Sequence, residues 1–241
     1  MNTICKWMGL AMMLFLGACG GGGGGGSTTN VDPQGFWVGP SSTGFTVSTA
    51  ILENGESWGI YSSGSTIFGA LYGSTSTDGS SITIVGSDFN FVTNSVVSST
   101  LTGTVSSKST ITAASRLGTT VSLTYKPVYE TDATSAAIVG TWNFIGRSKS
   151  FSLVPGTIVV DGAGRFTLNQ TNCVTTGSVV PRSGGKNIYN LTLSYAGSGC
   201  AAGQTSMSGI AILDTSVTPN KFLSLALSPN KGDGVIVIGT R

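Results

Sequence analysis

Apolar residues in this chain recur at every second position, in runs too short for anything but β-strands. Tyr189, Leu191, Leu193 and Tyr195 alternate with Asn190, Thr192 and Ser194, and Phe45, Val47, Thr49 and Ile51 repeat the pattern near the other end. A period of two sends alternate side chains to opposite faces, so each run reads as a half-buried strand. Asn54-Gly55, Asp161-Gly162 and Gly232-Asp233-Gly234 stand between runs. Such residues tolerate the positive φ that tight hairpin turns require. No window combines a helical period with capping residues. The spacing predicts eight strands in the first half, at 36–38, 45–51, 58–61, 66–72, 81–85, 101–105, 110–115 and 119–125. It predicts eight more in the second, at 141–145, 157–160, 165–170, 173–180, 188–195, 207–213, 222–227 and 235–239. Lys126-Pro127 ends the first series, and residues 135–139 have room for one helical turn.

Short antiparallel strands joined by tight turns fit an up-and-down barrel or a strongly curled sandwich, and closure removes the exposed edges that all-β chains must manage. The expected fold is therefore all-β: two tandem small antiparallel β-barrels of about eight short strands each. The first barrel domain spans 35–127, a linker 128–137, and the second barrel domain 138–241. Hydrophobic residues make up 39% of the chain, enough for a core, while only 9% are charged. Abundant Ser and Thr suit outer faces rich in hydroxyls. The halves correspond: Gly35-Phe36-Trp37 matches Gly140-Thr141-Trp142 at an offset of 105, Trp58 falls opposite Phe166 at 108, and Leu101 to Val105 falls opposite Met207 to Ala211 at 106. Three landmarks near one offset indicate a tandem duplication. The Gly-x-Trp that opens each half resembles the start of lipocalin-type barrels, which implies a Trp plugging the closed end.

The N-terminus carries a different signal. Lys6 precedes an apolar run at residues 7–16, shorter than the roughly 20 residues that span a bilayer. Leu16-Gly17-Ala18-Cys19 follows, and this stretch resembles the lipobox of bacterial lipoproteins. The resemblance implies removal of residues 1–18 as a signal peptide and lipidation of Cys19, with several acyl chains giving stable membrane attachment. Gly20 stands where an aspartate would favour inner-membrane retention, so the resemblance implies the outer membrane. Residues 20–26 are all glycine, and the stretch 19–34 reads as lipidated Cys plus a tether. The eleven residues 20–30 reach about 18 Å on average, as a flexible chain. No strand precedes the glycines and no Lys-Ser/Thr follows, which excludes a phosphate loop.

With Cys5 and Cys19 assigned, Cys173 and Cys200 remain. An even pair in an exported protein reads as a disulfide, closing a loop worth roughly 3 kcal/mol in the chain-entropy model.

Catalysis finds little support. Histidine is absent, removing the commonest general base and metal ligand. No serine lies in a Gly-x-Ser-x-Gly elbow, and most acidic residues flank turns. The chain reads as non-enzymatic, without metal or cofactor. Charge is uneven: residues 31–127 carry three basic and five acidic residues, whereas 135–241 carry eight and three. Arg147, Lys149, Arg165, Arg182 and Lys186 are candidates for a face toward an anionic partner such as lipid headgroups or glycan. The bases are too few, and no motif is present, for nucleic acid. Trp37, Trp58, Phe68 and Trp142 fit core packing and a ligand cup equally. The body resembles proteobacterial lipoproteins with small lipocalin-like β-domains. The function expected is a binding or envelope-interaction module anchored at the outer membrane. Its alternatives are a carrier of a small hydrophobic ligand and an inhibitor or assembly partner of another envelope protein.

Overall fold

The computed structural model describes residues 29–149, 152–200, 203 and 205–241, of which 152–154 are described for the backbone alone. The lipobox, Cys19 and the glycine run lie outside the described residues. The first half forms β1 (Gly35–Pro40), β2 (Thr46–Ile51), β3 (Glu56–Ser63), β4 (Thr66–Asp78), β5 (Ser81–Asn90), β6 (Ser95–Ser106), β7 (Thr110–Ser115) and β8 (Thr120–Tyr125). These pair in sequence order, and β1 meets β8 through Trp37–Tyr125 and Val38–Thr124 to close a barrel. The second half forms β9 (Gly140–Ser148), β10 (Ser152–Val160), β11 (Arg165–Gln170), β12 (Cys173–Pro181), β13 (Tyr189–Ala196), β14 (Ser206–Asp214), β15 (Lys221–Leu227) and β16 (Gly234–Thr240). Here β9 pairs with β16, and the sheet runs β10-β9-β16-β15-β14-β13-β12-β11, leaving β10 and β11 as its two edges. The molecule is all-β, with one closed barrel and one nearly closed.

Each strand obeys its period. Val121, Leu123 and Tyr125 are buried inside the first barrel while Thr120, Ser122 and Thr124 face out, giving β8 strict alternation. In the second, Tyr189, Leu191, Leu193 and Tyr195 point inward. Trp37 and Trp142 occupy equivalent places, each the third residue of its strand, β1 and β9. The Trp37 Nε1 donates to the Pro33 carbonyl at 3.0 Å and the Trp142 Nε1 to the Ile138 carbonyl at 2.8 Å, each four residues back. Gly103 and Gly209 also correspond. A Cβ on Gly103 would lie 1.9 Å from the Thr112 carbonyl oxygen, and one on Gly209 would lie 1.9 Å from that of Leu225. Both glycines let a neighbouring strand approach closely where the sheet curls. One landmark of the sequence comparison shifts. The turn bonds Leu52 N→Glu56 O and Asp161 N→Arg165 O align Glu56 with Arg165, which places Phe166 opposite Ser57 and Thr167 opposite Trp58. A one-residue shift exchanges faces, and Phe166 accordingly points inward whereas Trp58 points out.

The outer faces are not wholly polar. Ile60, Ile67, Ala70, Phe89 and Phe91 of the first barrel pack against Leu225, Leu227 and Ile236 of the second in one apolar seam. Arg147 crosses it, donating from Nη1 to the Ile67 carbonyl at 3.2 Å and from Nη2 to the Phe91 carbonyl at 2.6 Å. The connection is ordered too: a 3₁₀ turn (Pro127–Glu130) buries Tyr129, and α1 (Ser135–Ile138), capped by Thr134, buries Ile138. Asn187 fastens this segment by donating to the Val128 carbonyl at 3.0 Å and the Leu213 carbonyl at 2.6 Å. Glu130 collects Lys108 at 2.8 Å, Lys186 at 2.6 Å and the Tyr125 hydroxyl, linking both barrels to the connection.

Two outcomes follow. The hydrogen bonds from Lys108, Lys186 and Tyr125 hold the Glu130 carboxyl at about 2, below its ordinary 4.5. A depressed carboxyl contributes stability that is full above its unfolded value and is lost as pH falls through the folded one. Glu130→Gln is therefore expected to lower Tm at neutral pH, with the gap to the parent narrowing between pH 4.5 and 2. Thermal melts at stepped pH measure this, and a pH-independent gap would count against it. Gly209→Val is expected to destabilise by about 3 kcal/mol in denaturant titration, by overpacking β14 against β15.

Candidate functional site

The inward side chains of the second barrel do not fill it. A cavity of about 190 Å³ remains among Trp142, Phe144, Ile158, Phe166, Leu168 and Leu193, with further apolar residues around them. The equivalent space in the first barrel is about 40 Å³. The difference lies in what each interior carries. At the mouth of the first barrel, Phe45 packs on Tyr61 and Phe68 with ring centroids 5.6 and 4.7 Å apart. Phe68 has no partner residue in the β3–β4 register, which shifts between Gly69 and Ile67. Below them the Tyr61 hydroxyl donates to Asp88 Oδ1 at 2.8 Å, and burial raises the Asp88 carboxyl. The second barrel has aliphatic side chains over much of this space, and they leave a void.

The floor of the cavity is well built. Trp142 is fixed by Ile138 and packs against Phe222 at 5.8 Å. The Arg241 guanidinium lies 4.3 Å from the Trp142 ring centroid, while its Nη2 donates to the Ala137 carbonyl at 2.9 Å. At the opposite end Cys173 and Cys200 form a disulfide, with Cα atoms 4.8 Å apart, and Cys173 lines the cavity. The bond ties the loop after β13 to the start of β12. Polar groups on the wall are few. Ser224 spends its hydroxyl on the Val237 carbonyl at 2.7 Å, and Gln170, Thr175 and Tyr195 complete the set. Burial, reinforced by the Asp233 carboxylate, pushes the Tyr195 phenol up to about 12, so it stays neutral at physiological pH. The described lining residues thus include no ionised side chain. Such a wall favours an apolar guest, since an unpaired buried charge is expensive.

The four aromatic candidates separate by position. Trp142 lines the cavity. Trp37 is fully buried beside Tyr125 in the first barrel. Phe68 belongs to the aromatic mouth, and Trp58 packs edge-on to Tyr72 at 4.5 Å beside the seam between barrels. The basic candidates spread out as well. Arg147 is engaged by carbonyls of the first barrel, and Lys149 donates to the Gly232 carbonyl at 2.7 Å. Arg182 makes a salt bridge to Glu53 at 2.8 Å, Lys186 binds Glu130, and Arg165 stands exposed at the start of β11. Sequence reasoning named neither Phe166 nor Leu168 as a site residue. Their bulk at positions that hold Ser57 and Gly59 in the first half was the available signal. No family model, curated protein or solved structure matches this chain.

Proposed function

We propose that this protein is a non-enzymatic lipoprotein held at the outer membrane through Cys19, and that its second barrel carries a small hydrophobic molecule. The anchor rests on the lipobox resemblance of Leu16 to Cys19. The binding role rests on one observation, the apolar cavity of about 190 Å³ inside the second barrel. An apolar cavity of about 150 Å³ in another protein stays dry and takes up benzene, so this one has room for a small aromatic molecule or the end of an alkyl chain. Among the two barrels, this favours the second as carrier and the first as packed support. Val31 N donates to the Gly79 carbonyl at 2.8 Å and Asn30 Oδ1 accepts from Gly79 N at 2.8 Å, at the turn between β4 and β5.

The test uses the chain produced without its lipid, as Cys19→Ser, against a panel of medium-chain alcohols and small aromatics. A ligand at about 100 times its Kd stabilises by about 2.7 kcal/mol, which raises Tm by about 5–10 °C for a chain of this size. Leu193→Trp, which fills the cavity, is expected to abolish the rise, and Trp58→Ala to leave it intact. No rise with any member of the panel would sink the carrier reading.

A further inference from the structure

Among the described residues the second barrel is parted between β10 and β11, and the first barrel shows the zipped alternative. Both hairpins begin with the same turn. In the first barrel Leu52 N donates to the Glu56 carbonyl at 2.8 Å and Gly55 N to the Leu52 carbonyl at 3.0 Å; in the second, Asp161 N donates to the Arg165 carbonyl at 2.9 Å and Gly164 N to the Asp161 carbonyl at 2.9 Å. Beyond the turn they diverge. β2 and β3 remain paired from Ile51–Ser57 to Thr46–Ser62. β10 and β11 form no ladder and stand as the two edges of their sheet. The inward residues after the turn are Ser57 and Gly59 on β3 but Phe166 and Leu168 on β11. At Gly59 a side chain would crowd its neighbours, since a Cβ would lie 3.0 Å from Thr49 Oγ1 and 3.3 Å from Leu71 Cβ. On β11 the Phe166 ring lies over Gly177, its paired residue on β12. Phe166 and Leu168 line the cavity, as do Ile158 and Val160 across the gap. The gap is thus apolar on both inner lips and leads directly into the barrel.

We infer that this lateral gap between β10 and β11 is where an apolar ligand enters and leaves the second barrel. This rests on the reading of the cavity as a binding site. Val159 and Thr167 mark the gap from outside. Val159 is 61% exposed, and the turn alignment sets the two where Ala50 and Trp58 pair in the first barrel. Their amides are left without a ladder, so in the parent chain they are expected to exchange hydrogen at least tenfold faster than those of Ala50 and Trp58. Equal protection would overturn the unzipped hairpin without any variant being made.

The entrance itself is tested by Val159→Cys with Thr167→Cys in the lipid-free full chain, joined by a short thiol-bridging reagent. Both positions face away from the cavity, so its lining and the Cys173–Cys200 bond stay intact. Each single variant, capped with the same reagent, is the control. Stopped-flow fluorescence with N-phenyl-naphthylamine, a neutral apolar probe, follows uptake and release. The bridged protein is expected to exchange probe at least tenfold more slowly than the capped controls. Equal rates would overturn the lateral entrance, while absence of binding in the controls would overturn the carrier reading instead.

Discussion

An eight-stranded barrel has a nearly set interior volume, and the rest of this structure depends on how that volume is filled. The strand number sets the diameter, and at eight strands side chains alone suffice to fill the inside. In the first barrel Phe45, Tyr61 and Phe68 crowd the mouth and Trp37 the floor, and the wall closes. In the second barrel the balance reverses. The β10–β11 hairpin stays unpaired beyond its turn, and Phe166, Leu168 and the aliphatic residues around them leave the interior unfilled. One architecture therefore yields a packed support and an apolar container.

Scarcity of charge gives the charged residues present an unusual distribution of tasks. Much of each outer wall is Ser and Thr. Several of the ions join the two halves: Arg147 on two carbonyls across the seam, Arg182 on Glu53, and Lys186 on Glu130 beside Lys108. Exposed pairs of this kind contribute little energy singly. Their effect is orientational, holding the apolar seam of Ile60, Phe89, Leu225 and Ile236 in one alignment. That seam also explains why aromatic and β-branched residues in the first half exceed what its own interior holds.

The strands themselves were legible from sequence, because the alternation of Tyr189 to Tyr195 or of Val121 to Tyr125 is a local property. Their lengths were less so. β4 runs on to Asp78 and β6 begins at Ser95, through Ser- and Thr-rich stretches where neither face is strongly apolar. Pairing to a neighbour, which leaves little trace in such a sequence, extends those strands. The cavity was hidden for a related reason. Trp58 and Phe68 drew attention as large aromatics, yet the one packs beside the seam and the other in the mouth of the filled barrel. The cavity arises from what Leu168 and its opposing residues together fail to fill.

Sequence by itself determined the all-β class, the sixteen strands, the corresponding tryptophans, and the cysteine pair that becomes the disulfide. Each follows from spacing along the chain or from elimination within it. Only the tertiary structure decided which barrel closes, which one encloses space, and which lysines and arginines are taken up by carbonyls and carboxylates of the other half. Those outcomes depend on sums over side chains from strands far apart in sequence, and on whether one hairpin zips beyond its turn. Two hairpins with the same turn bonds end differently here, one zipped along its strands and the other parted beyond the turn.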